Sequence, residues 1–230
     1  MLRLAAASML VFVAACAGTS RDKSLEVNDT GVIPVMRVAI MPGSAEPPSQ
    51  PRSGFAFELG LSKVSGSSTQ SLPAGERVNV DGAAITGPAQ LANDADARFI
   101  DALVRFRAGG SVESRLGLEL LAGLSQANLS FRAGSLSKSQ SAVQLAFGIG
   151  GLVRLGPNSM LHARYTSGVN GDPDELKASR LELAFVQSFA RNFAVRAGYG
   201  LWNVVRTPPA PGSEMRMRVS GPMLGLDLSF

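Results

Sequence analysis

Across residues 55–230, large apolar side chains alternate with small or polar ones in eight segments, and a repeat of two is that of a β-strand whose faces meet different surroundings. No helical period competes with it. Phe55, Phe57, Leu59 and Leu61 alternate with Ala56, Glu58 and Gly60, and Ile100, Ala102, Val104 and Phe106 alternate with Asp101, Leu103, Arg105 and Arg107. Leu116, Leu118, Leu120 and Leu124 oppose Gly117, Glu119 and Gly123, whereas Val143, Leu145, Phe147, Ile149 and Val153 oppose Gln144, Gly148 and Arg154. Leu161 and Tyr165 oppose His162 and Arg164, Leu181, Leu183 and Phe185 oppose Arg180 and Glu182, and Phe193, Val195 and Tyr199 oppose Arg196 and Gly198. The last segment sets Leu224, Leu226, Leu228 and Phe230 against Gly225, Asp227 and Ser229. The links also alternate: they are short at 109–110, 156–159 and 190–192, and longer across 64–95, 126–140, 169–178 and 206–214. The pattern predicts an all-β fold, an eight-stranded antiparallel up-and-down β-barrel with one rim of short turns, one rim of long loops and strands of about 9 to 11 residues.

Size decides which face looks outward. An eight-stranded barrel has an interior only just wide enough for side chains, so Leu, Phe, Val and Ile from every strand would overfill it. The bulky apolar face is therefore expected outside, where water would drive aggregation and lipid would not, which makes the barrel transmembrane. The other face places Glu58, Asp101, Arg105, Arg107, Glu119, Arg154, His162, Arg164, Arg180, Glu182, Arg196 and Asp227 in the lumen. Both signs are present, so a paired charge network that plugs the barrel is expected rather than an open channel.

The residues before 55 differ in character. Residues 1–15 combine Arg3, an apolar run and small residues ahead of Cys16, the arrangement of a secretory signal peptide too short to remain as a membrane span. Residues 16–54 are rich in Pro, Ser and Gly and read as a flexible tether. Within them, 31–41 is apolar but interrupted by Pro34 and Arg37; it is either a short strand that docks on a partner or an apolar piece of linker, and the linker is preferred.

Composition narrows the chemistry. The chain has 230 residues, of which 45% are hydrophobic and only 17% charged, little for a fully water-exposed surface. One cysteine excludes a disulfide framework, and one histidine leaves little for a zinc centre or a triad. The 22 basic and 18 acidic residues contain no run of four Lys/Arg, so no nucleic-acid footprint is present. No cofactor is expected.

Val13-Ala14-Ala15-Cys16 resembles the bacterial lipobox, which implies cleavage after Ala15 and acylation of Cys16. Over residues 55–230 the chain resembles the small OmpA/OmpX-type outer-membrane barrels, most specifically at its end. There Gly225, Leu226, Leu228 and Phe230 match a terminal barrel-assembly signal, and Phe55, Phe106, Phe189, Phe193 and Phe230 match an aromatic girdle on the short-turn side. The resemblance implies outer-membrane lipid and the barrel-assembly and lipoprotein-processing machineries as partners. It also implies a bacterial outer-membrane location, with long loops outside and the N-terminal tether periplasmic.

The leading functional expectation is a non-enzymatic barrel lipoprotein with a structural, adhesive or complex-forming role through its extracellular loops. A lipid-A-modifying barrel enzyme is the alternative within catalysis. His162 is its only candidate base, and alternation points it into the charged lumen. A lipid-tethered, soluble, lipocalin-like barrel is the third reading; it would turn the bulky face inward.

Overall fold

The computed structural model describes Val27 and residues 31–41, 53–74, 77–80, 83–109, 115–170, 176–206 and 215–230. These form β1 (Ile33–Ile40), β2 (Gly54–Leu72), β3 (Arg77–Val80), β4 (Ala83–Thr86), β5 (Ala89–Gly109), β6 (Leu116–Ala133), β7 (Leu136–Arg154), β8 (Ser159–Val169), β9 (Leu176–Ala190), β10 (Phe193–Arg206) and β11 (Met215–Ser229). Nine of them make one sheet that closes on itself in the order β1-β11-β10-β9-β8-β7-β6-β5-β2, while β3 and β4 pair separately as a short hairpin.

The ring has nine strands rather than the eight expected. All eight alternating segments are strands, namely β2 and β5 to β11, and each pairs antiparallel with its neighbour in sequence along the wall. The ninth is β1, from the stretch preferred as linker. It runs parallel to β11, from Ile33↔Met223 to Ala39↔Ser229, and antiparallel to β2, from Val35↔Ser62 to Ile40↔Phe57. Its own alternation explains the seat: Ile33, Val35, Arg37 and Ala39 are buried, whereas Pro34, Met36 and Ile40 are exposed. Pro34 is tolerated because it stands near the strand's start. The tether expected over residues 16–54 is therefore interrupted by a wall strand, while Cys16 and the expected signal segment lie outside the described residues.

Two of the long links are also wall. Strands β2 and β5 stay paired from Gly54↔Arg107 to Leu72↔Ala89, and β6 and β7 stay paired to Ala133↔Leu136 across a turn at Gly134 and Ser135. Gly134 has φ 56°, the left-handed conformation that tight hairpin turns require. Strands β5 and β6 reach 21 and 18 residues, about twice the length that crosses a bilayer, whereas β8 has 11. The wall is thus tallest along β2, β5, β6 and β7, on the side opposite the short turns; we call this the hairpin side.

Both faces of the wall change chemistry at one level. On β5, Arg98 points out, Phe99 in, Ile100 out and Asp101 in. Towards the short turns the outward row continues with exposed Val104 and the inward row with buried Arg105; towards the hairpins the outward row has exposed Asp96 and Asp94, and the inward row buried Ala97 and Ala95. Strand β2 switches between Leu61 and Lys63, β6 between Leu124 and Gln126, β7 between Val143 and Ser141, and β9 between Leu181 and Ser179. The short-turn tier is apolar outside and largely charged inside. The hairpin tier is polar outside and holds the main apolar core, including Val64, Phe99, Leu129, Phe131, Leu176, Trp202 and Val219. Val27 belongs to this core as well, so the chain reaches β1 from the hairpin side. Arg180 lies 5.1 Å from the centre of the Phe99 ring, a cation capping the apolar tier where the two meet.

Trp202, the only tryptophan, reports on the hairpin-side core. Its ring lies where a β-carbon on Gly200 would come within 1.9 Å, so the glycine is there for space. Folded protein is expected to emit at the short wavelengths of a buried indole and to resist iodide quenching, and Gly200→Val to shift emission to the red. Emission at the wavelength of free tryptophan from the folded chain would contradict this packing.

Candidate functional site

The short-turn tier brings inward-pointing residues of seven strands into one buried charge network, and strand alternation alone selects them. Glu58 comes from β2, Asp101, Arg105 and Arg107 from β5, Glu119 from β6, His162 and Arg164 from β8, Arg180 and Glu182 from β9, Arg196 from β10 and Asp227 from β11; all are buried. These side chains fill the ring interior at this level apart from a cavity of about 20 Å³ beside the short turns.

Two pairs are one-to-one and bidentate. Arg180 donates to Asp101 through Nη1 (2.6 Å) and Nη2 (2.8 Å), and Ser125 Oγ donates to the same carboxylate at 2.6 Å. Arg196 donates to Asp227 through Nε (3.1 Å) and Nη2 (2.7 Å). Such forks fix guanidinium and carboxylate in one plane and give the strongest hydrogen bonds the two groups make.

The remainder is shared. Glu119 accepts from Arg107 Nε at 2.8 Å and Arg164 Nε at 2.8 Å, with Arg105 Nε at 3.8 Å. Glu58 accepts from Arg105 Nη1 at 2.8 Å and from both terminal nitrogens of Arg164. A buried carboxylate held by several donors loses its hydration and recovers it from fixed dipoles, which is how a charge survives away from water.

His162 sits between opposite charges. Arg196 Nη1 lies 3.2 Å from Nδ1 and Glu119 Oε1 lies 3.3 Å from Nε2. A guanidinium only donates and a carboxylate only accepts, so Nδ1 is the acceptor, Nε2 carries the proton and the ring is neutral. Both nitrogens are occupied, which leaves no lone pair to take a proton from a nucleophile, the role a general base needs.

Arg37 joins the network although its segment reads as linker. It donates to Glu182 through Nη2 and places Nε 3.9 Å from Glu58. The signal was in the sequence: Arg37 falls in the same phase as Ile33 and Val35, which a strand buries. Arg154 departs the other way. It is half-buried at the end of β7, where its Nε donates to the Gly156 carbonyl at 3.1 Å, and among the described residues no carboxylate pairs with it. Being the last residue of the strand, it bends to the turn instead of into the ring.

The terminal residues also gain a structural account. At Gly225 a β-carbon would stand 2.2 Å from the Val35 carbonyl oxygen, so glycine lets β1 approach β11. Leu226 and Phe230 are exposed and Leu228 is half-buried, all on the outer face. Phe55 and Phe106 pack at 4.9 Å between ring centres, and Phe189 and Phe193 at 6.4 Å, next to the short turns. Among the described residues, no group of three or more His, Cys, Asp or Glu side chains is arranged to hold a metal ion.

No family model, no curated protein and no solved structure matches this chain.

Proposed function

We infer that the chain is a transmembrane barrel of the bacterial outer membrane with a non-enzymatic, structural, adhesive or complex-forming role, carried by the wall and links of its hairpin side. One observation carries the reading: the reversal of polarity on both faces at one level of the wall. An outward apolar belt over a charged interior suits lipid outside; a polar exterior over an apolar core suits water outside. From Leu116 to Leu124 the belt rises about 20 Å at the usual strand tilt, close to the apolar band of membrane barrels. Bulk inside and polarity outside, the mark of a soluble lipocalin-like barrel, is found only in the hairpin tier. The occupied nitrogens of His162 speak against the lipid-modifying enzyme.

The direction of β1 bears on how the anchor is arranged. In this reading Cys16 carries the lipid, and the chain after it meets the ring at the hairpin side through Val27 and Ile33. A filled interior blocks passage inside the ring, and an unpaired backbone has no partners in lipid outside it. Tether and hairpins therefore share one side of the membrane. If the hairpins face outward from the cell, the acyl chains lie in the outer leaflet, which replaces the expectation of a periplasmic tether.

Membranes washed with carbonate or urea should retain the chain, and boiling should change its mobility on gels. Release by the wash would defeat the membrane reading. Epitope tags after Ser24 and after Ala74, the latter in the link between β2 and β3, should both be labelled on intact cells, and one after Pro157 should not. A Ser24 tag that follows the Pro157 tag would leave the barrel standing and overturn its sidedness.

A further inference from the structure

We propose that the short-turn mouth of the ring holds a single monatomic anion, chloride in ordinary saline, between the guanidiniums of Arg37 and Arg107. The argument is one of charge and space. Among the described residues the buried interior carries the guanidiniums of Arg37, Arg105, Arg107, Arg164, Arg180 and Arg196, six in number, against the five carboxylates of Glu58, Asp101, Glu119, Glu182 and Asp227. His162 is neutral by its partners, so among these buried side chains one positive charge is left over.

Pairing locates the surplus. Arg180 is matched to Asp101 and Arg196 to Asp227, each by two hydrogen bonds. Four arginines then share Glu58, Glu119 and Glu182. Three of those four, Arg37, Arg105 and Arg107, line the cavity of about 20 Å³ beside the short turns, together with Arg196 and the carboxylates of Glu58 and Asp227, both of which already accept from arginines. Arg37 Nη1 is buried with no hydrogen-bond partner. A buried donor on a charged group without an acceptor is costly, and an excess cation in a low-dielectric interior more so. A cavity of this volume encloses one water molecule or one monatomic ion and is too small to enclose a phosphate, sulfate or carboxylate ligand. Of occupants that small, a halide supplies both the acceptor and the missing charge, whereas water supplies only the acceptor.

The test uses the full chain folded in detergent micelles, with chloride exchanged for gluconate at constant ionic strength so that screening is held fixed. The unfolding temperature of the wild type should rise with the logarithm of chloride concentration above its dissociation constant, and bromide should act in the same way. Arg107→Met removes the surplus while Glu119 keeps Arg164, so its unfolding temperature should be independent of chloride and its bromide affinity lower by about tenfold or more. Crystals of the wild type grown in bromide should show an anomalous peak between Arg37 and Arg107, a readout that stands if Arg107→Met does not fold. Stability indifferent to chloride, a chloride response retained in Arg107→Met, or ordered water without an anomalous signal in the cavity would each overturn the proposal.

Discussion

Glu119→Ala should lower the stability of the folded ring by about 3 to 5 kcal/mol, the usual result of removing one member of a buried ionic cluster. Glu119 is 0% exposed and is the acceptor for Arg107, Arg164 and His162. Among the described residues, its loss leaves Arg107 without a carboxylate and His162 Nε2 without an acceptor. The cost comes less from the broken hydrogen bonds themselves than from charges left uncompensated where water does not reach. Lys63→Ala is the control: its pair with Asp96 spans 3.7 Å on the outside, with both side chains about half exposed, and should contribute under about 1 kcal/mol. Urea titration of refolded protein, followed by the heat-sensitive gel band, checks both. Equal small losses would mean that the interior is wet and the network is solvated.

Leu120→Arg should destabilise the protein in lipid vesicles by about 2 to 4 kcal/mol, and Ser130→Arg by almost nothing. Both positions lie on β6, both point outward and both are exposed, Leu120 at 55%. A chain surrounded by water would accept arginine at either one. Only a belt of lipid around the short-turn tier separates them, so the difference between the two variants measures the outside solvent directly. The inward neighbour Leu121 is a poor control, because it packs on Leu103 and Ala146 and an arginine there would be buried. Similar unfolding midpoints for Leu120→Arg and Ser130→Arg in vesicles would defeat the membrane reading.

The eight antiparallel strands are legible because alternation in their short-turn halves has high contrast, Leu or Phe against Gly, Glu or Arg. Their hairpin halves read as loops for a physical reason. From Leu91 to Phe99 the period of two continues without a break in phase, but the apolar residues now point in and Asp94, Asp96 and Arg98 point out. A search for apolar-outward strands stops where the polarity flips, although the strand does not. In β2 the contrast also fades, since Ser65, Gly66, Ser67 and Ser68 differ little in hydropathy. The charged site is legible almost residue by residue from phase alone. Arg37 is hidden with its strand, since Pro34 beside a proline-rich stretch resembles linker, and Arg154 is misplaced because phase says nothing of where a strand ends.

The parallel seat of β1 makes the closing seam of the ring its one pairing between wall strands that are not neighbours along the chain. Every wall strand, β1 on β2 included, lies antiparallel beside a neighbour in sequence and can zip up locally. The pairing of β1 with β11 joins segments nearly the whole chain apart, and the entropy of closing so long a loop falls on that seam. Without β1, β2 and β11 would be bare edges that run antiparallel to each other. Paired directly, they would close a narrower ring of eight strands whose buried arginines and carboxylates number five each. β1 acts as a keystone wedged into that seam: it widens the circumference by one strand and brings the unmatched cation with it, so the nine-stranded ring forms only when residues 33–40 reach the seam before its two edges reach each other.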